Sequence, residues 1–360
     1  MKFSAMVAPR IADWQLAPFV EDLGYHALWA SDSQMIWSDT YAWLALAAAN
    51  TSRIRLGTGV AIAPIRLAPV TAHSIATINQ LAPGRTFLAL GTGHTAMRVM
   101  GMDPMKAKQF REYLRVVRGL LHGEEVEYEL DGVRRDIRFL HTTQGFIDVD
   151  NPVPLYVAAN GPLAQKATGA YGDGRVSAHN EPLRLLQDSR RRIQEGAEAV
   201  GRTLPQNFHN AALGYACVLR PGESPTSDRV IDQAGAMALC SLHYWWEIYT
   251  ATGDTSMVSK RCENEWDAYL GFISKLDLPP EKHYQRVHLG HASFVPPEER
   301  QFVTKNLIQG SGGLVGEPDE IIDILREREK SGLDEIALMP AMDHARDNLK
   351  DFAELVMARY

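Results

Sequence analysis

Of the 360 residues, 45% are hydrophobic and 22% charged, which excludes a disordered, collagenous or coiled-coil chain and supplies enough apolar material for a large core. The formal net charge is −7 and the longest basic run is Arg190-Arg191-Arg192, so the basic footprint of a nucleic-acid binder is missing. Cys217, Cys240 and Cys262 are widely spaced and form no CxxC pair, so no disulfide framework is expected.

Taken in chain order, the first elements alternate. A strand is expected over 3–8, ended by Pro9, then an amphipathic helix over 14–23 closed by Gly24. Strands at 26–31, 53–59 and 85–91 follow, separated by helices at 41–50 and 69–81, the second stopped by Pro83-Gly84. A helix over 106–121 leads into a charged hairpin, 124–138, with its turn at Asp131-Gly132. Alternation resumes with strands at 153–159, 174–179 and 211–219 and helices at 163–171 and 183–200. The period is irregular over 221–309, and the chain closes with a helix at 318–330, a strand at 334–339 and a helix ending near Tyr360.

Strand–helix alternation means parallel strands with right-handed crossovers, and eight such units favour a closed (β/α)8 barrel (a TIM barrel) over an open doubly wound sheet. The expected architecture is one α/β domain over 1–360, with a helical, aromatic insertion at about 221–309 after strand 7. The opening residues 1–7 read as a strand and not as a signal peptide. The longest uncharged stretch, 67–84, contains two prolines and several polar groups, which excludes a membrane span there. A soluble, cytoplasmic chain is the expectation.

In such a barrel the chemistry gathers at the carboxyl ends of the strands. Gly91-Thr92-Gly93-His94-Thr95-Ala96 fits a GxGxx[GA] dinucleotide pattern, but that fingerprint needs a full helix starting at once, and 100–104 breaks it. The preferred reading is glycine backbone lying close to a bound ring. Asn160-Gly161-Pro162 opens a helix and is either an anion site or a plain cap. Asp32 follows a buried-looking strand and either orients a cofactor or caps the next helix. His94 and His179 end strands and are candidate general acids or bases, since imidazole titrates near neutral pH. The His288-Leu289-Gly290-His291 pair has no carboxylate or thiolate in a metal-binding pattern beside it, so no metal is expected. No G-x-S-x-G elbow, P-loop or HExxH occurs. Tyr244, Trp245, Trp246, Tyr249, Trp266, Tyr269 and Phe272 form either an insertion core or an apolar wall over the barrel mouth suited to an aromatic substrate.

Five ordered motifs carry a resemblance. They are Trp29-Ala30-Ser31-Asp32 with Arg53-Ile54-Arg55-Leu56-Gly57-Thr58-Gly59-Val60; 84–93; Pro154-Leu155-Tyr156-Val157-Ala158-Ala159-Asn160-Gly161-Pro162 with Tyr171-Gly172-Asp173-Gly174; Leu314-Val315-Gly316-Glu317-Pro318-Asp319-Glu320; and Gly332-Leu333-Asp334-Glu335-Ile336. Together the chain resembles the luciferase-like flavin and deazaflavin oxidoreductases, and Ala159-Asn160-Gly161-Pro162 is most similar to the coenzyme F420-dependent branch that includes the methylenetetrahydromethanopterin reductases. The resemblance implies a (β/α)8 barrel, F420 or FMN at the strand ends, a homodimer and a non-prolyl cis peptide at Gly59-Val60. It implies cofactor contacts at Asp32, Gly59, Val60, Gly91, Gly93, Asn160, Gly161 and Gly174, with His94, Asp32 and His179 as catalytic candidates. Where the F420-dependent dehydrogenases have His after Ser-Asp, this chain has Ser33, and where they have Glu after Gly-Thr-Gly it has His94. The implied activity is hydride transfer to or from a small organic substrate. The alternatives are an FMN-dependent monooxygenase fed reduced flavin by a partner reductase, and a non-catalytic flavin-binding relative.

Overall fold

The structure is a computed structural model, and it describes every residue except His179, Asn180 and Pro182. Eight parallel strands are β1 (Lys2–Val7), β2 (Ala27–Ala30), β3 (Arg55–Thr58), β4 (Thr86–Gly91), β5 (Leu155–Ala158), β6 (Gly174–Ala178), β7 (His209–Gly214) and β8 (Glu335–Leu338). Each pairs in parallel with its chain neighbours; β1 also pairs with β8 through Phe3↔Ile336 and β3 with β4 through Leu56↔Thr86, so the sheet closes on itself. All of β2 and β4 is buried, because in a parallel barrel both strand faces are covered and the strands read as continuous apolar runs.

The burial divides into two shells. Leu28, Leu56, Leu88, Val157 and Ile336 face outward into the layer shared with the helices, where Ala107–Leu121 presents Phe110, Leu114 and Val117. Met6, Trp29, Phe87, Tyr156, Val176, Ala211 and Ala337 fill the interior, as the stacked layers of such a barrel require. Asp131 and Gly132, both at positive φ, turn the hairpin formed by Val126–Leu130 and Val133–Ile137.

At the amino end of the barrel, buried Glu335 accepts hydrogen bonds from Ser4 Oγ–H at 2.5 Å, Trp29 Nε1–H at 2.8 Å and His209 Nε2–H at 2.6 Å. Burial opposes its ionisation, but the His209 bond and charge outweigh that and hold its carboxyl down at about 2. Gly174 lies in this region: it is in register with His209 and Tyr156, and a Cβ there would fall 2.5 Å from the His209 carbonyl oxygen. The expected role of Gly174 at a cofactor phosphate is therefore corrected: it opens β6, at the end of the barrel opposite the mouth, and its missing Cβ admits a neighbouring strand.

The strand expected over 211–219 is divided. β7 ends at Gly214; Tyr215 is buried, with its hydroxyl 2.6 Å from Ser311 Oγ, and Ala216–Val218 pairs outside the barrel with Leu314–Gly316. Between these two short strands, residues 221–309 form helices at Asp228–Thr252, Glu263–Ile273, His283–Val287 and Lys305–Gly310. Their apolar cluster contains Val230, Leu239, Trp245, Trp246, Trp266, Tyr269 and Phe302, so most of the aromatics are insertion core. Among the described residues no helix is long and apolar enough to cross a membrane.

Candidate functional site

The carboxyl ends of the strands are organised around a bulge after β3. Gly59-Val60 is a cis peptide, as the resemblance implies, and the chain then pairs Ala61 and Ile62 with Leu90 and Gly91 of β4. Space for it comes from glycines. A Cβ on Gly59 would lie 2.8 Å from Trp29 Cβ, one on Gly91 2.9 Å from Val60 Cγ2, and one on Gly93 2.5 Å from Ile62 Cγ2. At each of these three glycines the missing Cβ makes room for the bulge or its neighbours. The half-buried Val60 packs with Ala8, Trp37, Ala158 and Leu213 over the barrel interior, forming an apolar floor at the mouth.

Asp32 serves the same bulge. Its Oδ2 accepts from Ile62 N–H at 3.0 Å and Arg66 Nη1–H at 2.7 Å, and its Oδ1 accepts from Gln34 Nε2–H at 2.6 Å. A buried carboxylate with a guanidinium partner and several donors is already satisfied. Capping of the following helix falls to Asp39, whose Oδ1 accepts from Ala42 N–H. The structure thus engages Asp32 in holding the loop.

Gly161 caps the helix Pro162–Tyr171 and is exposed, with nothing within 4 Å of where its Cβ would be. The Asn160 carbonyl accepts from Gln165 Nε2–H, and Gln165 also receives Arg192 Nη1–H. His179 lies outside the described residues. His94 starts a helix at once after Gly93, but that helix spans only His94–Val99.

His94 is 41% exposed at its side chain, and its Nδ1 is buried 3.8 Å from Glu247 Oε2. That separation is ion-pair range, beyond a hydrogen bond. Because the buried nitrogen is Nδ1, the ring offers Nε2 at its open edge. Its ring also meets Tyr244 edge-on at 5.5 Å. Glu247 is 3% exposed; Oε1 accepts from His288 Nε2–H at 2.9 Å, and Oε2 has no hydrogen-bond partner among the described residues. Burial opposes ionisation of Glu247, yet the imidazoles of His288 and His94 hold its carboxyl down at about 2. Arg98 Nε, 3.9 Å from Oε1, adds positive charge.

These partners come from the insertion, and sequence reasoning missed them. Cys240, His243 and Glu247 sit on one face of Asp228–Thr252, at helical spacings of three and four; that spacing was the available signal. Met237 and Cys240 pack toward the barrel interior beside Ala292, so this helix covers the mouth. The expectation that His288 and His291 lack carboxylate and thiol neighbours is overturned: His288 bonds Glu247, and His291 Nδ1 lies 3.7 Å from Cys240 Sγ. Sequence distance hid both contacts. His243 Nε2–H donates to Glu299 Oε2 at 2.8 Å, and burial lowers the basicity of the ring. Burial likewise pushes His291 down to about 3 and the Cys240 thiol up to about 12.

Residues 14–335 match the family model described as luciferase-like monooxygenase. An F420-dependent glucose-6-phosphate dehydrogenase of Kineococcus radiotolerans is 34% identical over 213 residues, 54% of this chain and 62% of the relative. A 5,10-methylenetetrahydromethanopterin reductase of Methanolobus tindarius is 32% identical over 205 residues, 56% of this chain and 59% of the relative. The chain thus spans about three fifths of the length of these curated relatives. The solved coenzyme F420-dependent tetrahydromethanopterin reductase of Methanopyrus kandleri superimposes with a TM-score of 0.67 at 20% identity, covering 100% of this chain and 99% of that one, which establishes the shared barrel.

Proposed function

The chain belongs to the luciferase-like monooxygenase family, and from that premise we propose that it is an oxidoreductase moving hydride between coenzyme F420 and a small organic substrate, with His94 moving the proton. One observation carries the reading: an accessible imidazole at the barrel mouth is backed by a buried anion, Glu247. F420 is favoured over FMN by the F420-dependent dehydrogenases among the relatives and by Ala159-Asn160-Gly161-Pro162, which resembles that branch.

The residues present fit such a planar, phosphate-bearing group. Val60, Ala8, Ala158 and Leu213 offer an apolar face, and Gly161 leaves open space before a ten-residue helix whose first N–H groups favour anions. The bound cofactor supplies or accepts the hydride; the protein orients it and excludes water. Asp32 contributes by fixing the Ile62 backbone, and with it Val60. In the reductive direction the imidazolium form of His94 would give its Nε2 proton to the carbonyl oxygen of the substrate as the carbonyl carbon is reduced, leaving the neutral ring. In the oxidative direction the neutral ring would take the hydroxyl proton back. Glu247, facing the other ring nitrogen, steadies the imidazolium that results when a proton is taken. This pair replaces the His that Ser33 does not provide, because a serine hydroxyl is too weak a base at neutral pH. Tyr244 and Trp37 border the substrate side, which suits an apolar or aromatic carbonyl–alcohol pair.

The reading includes a homodimer, which light scattering checks; a partner reductase belongs only to the FMN-dependent alternative. Absorbance titration of the purified protein with F420 and with FMN is the decisive test. Saturable F420 binding with little for FMN is expected; tight FMN binding with none for F420 overturns the assignment.

A further inference from the structure

The cover of the barrel mouth holds a group of side chains that the proton-transfer reading leaves unused. Cys240 Sγ and one ring nitrogen each of His243 and His291 all lie within 4.8 Å of one another. Cys240 and His243 are three residues apart on the Asp228–Thr252 helix, and His291 comes from the loop after His283–Val287.

Three further observations point to a cation. The first is orientation: His243 gives Nε2–H to Glu299, so the nitrogen left over is Nδ1, which is buried and has no hydrogen-bond partner among the described residues. The second is support. Glu299 is fully buried and is itself held by Arg286 Nη1–H at 2.8 Å, which makes the carboxylate–histidine arrangement that orients metal-bound imidazoles and raises their basicity. The third is distance. A tetrahedral zinc, with bonds of about 2.3 Å to sulfur and about 2.05 Å to nitrogen, places S and N about 3.6 Å apart and two N atoms about 3.3 Å apart. Cys240 Sγ and His291 Nδ1 are already 3.7 Å apart.

From this geometry we propose that Cys240, His243 and His291 bind a divalent transition ion of zinc type. The sulfur and nitrogen donors exclude the hard cations calcium and magnesium, which take oxygen. Binding replaces the Cys240 S–H bond with a metal–sulfur bond and releases one proton to solvent, with no change of oxidation state. Three protein ligands leave a fourth tetrahedral position for water. The metal ties the mouth-covering helix to the 288–293 loop, beside Trp37, whose ring lies 5.8 Å from that of His291 and whose Nε1–H donates to Ser293.

The test uses the full chain, stripped with a chelator and titrated with cobalt(II) as a spectroscopic probe, and circular dichroism establishes that each variant is folded. Wild type is expected to take one cobalt per chain, with a thiolate charge-transfer band and the intense visible bands of tetrahedral coordination, both displaced by zinc. Cys240→Ser, a near-isosteric change, is expected to lose the charge-transfer band, and His291→Gln to weaken cobalt binding at least 100-fold. Glu299→Gln, which spares every ligand, is expected to weaken it about 10–100-fold. The proposal is overturned if wild type shows no thiolate band, or if Cys240→Ser retains it, since the sulfur would then be Cys217 or Cys262. It is equally overturned if His291→Gln binds cobalt as wild type does. None of these readings involves F420, so the cofactor assignment stands or falls separately.

Discussion

Each end of the barrel buries a glutamate beside a histidine, and the two pairs are finished differently. At the amino end both oxygens of Glu335 are occupied, by Ser4, Trp29 and His209. At the carboxyl end Glu247 uses one oxygen for His288 and leaves the other 3.8 Å from His94, with no hydrogen bond. A closed network fixes one arrangement, whereas an open one retains capacity to respond when a proton or ligand arrives. The same residue pair is thus a closed structural network below, while above it leaves the open oxygen on which the proposed proton transfer rests, and what separates the two is the count of satisfied atoms.

The contrast breaks most sharply at His94. His94→Gln is expected to lower turnover about 10²–10⁴-fold, the usual worth of a positioned acid or base, with F420 affinity from absorbance titration little changed; wild-type turnover would end the assignment. Glu335→Ala, by contrast, strands a buried histidine and should cost about 3–5 kcal/mol of stability in urea melts, while a folded fraction retains its cofactor affinity. The Glu335 contribution should also depend on acid. Its folded carboxyl sits at about 2 and an unfolded one at about 4.3. The stabilisation is thus complete above the unfolded value and is lost as pH falls from there toward 2. Urea midpoints of wild type and Glu335→Gln, compared at successive pH values, should converge across that window. Gly91→Ala, which sets a methyl against Val60, is expected to cost about 1–3 kcal/mol and to weaken cofactor binding as the floor shifts. Gly161→Ala has open space around it and should change stability by less than about 0.5 kcal/mol; a selective loss of F420 affinity there would sharpen the phosphate assignment.

The barrel is legible from residues because buried parallel strands are short apolar runs, and 27–30 and 86–91 carry that signal without any partner in view. The division at Tyr215 is not legible locally, since it depends on Ser311, nearly a hundred residues onward. The glycines of 59, 91 and 93 are visible, but their reason is not: only the packed structure shows Trp29, Val60 and Ile62 occupying the space of the missing Cβ atoms. His94 is found from its place at a strand end, whereas Glu247 stands 153 positions later in an irregular region. Pattern reading works within an element; the site is assembled between a strand end and an inserted helix.

The short parallel ladder of Ala216–Val218 with Leu314–Gly316 brings the two ends of the 221–309 excursion side by side. An excursion whose ends are already joined charges the barrel little extra closure entropy for its length, since that cost grows only logarithmically. It also packs around its own apolar cluster. Lengthening, trimming or exchanging this segment would therefore leave the strand register of the barrel undisturbed while replacing the helix that covers the barrel mouth. The ladder acts as a clasp on which successive lids can be fitted, so a lineage built on this fold can change what it acts on without reopening how it folds.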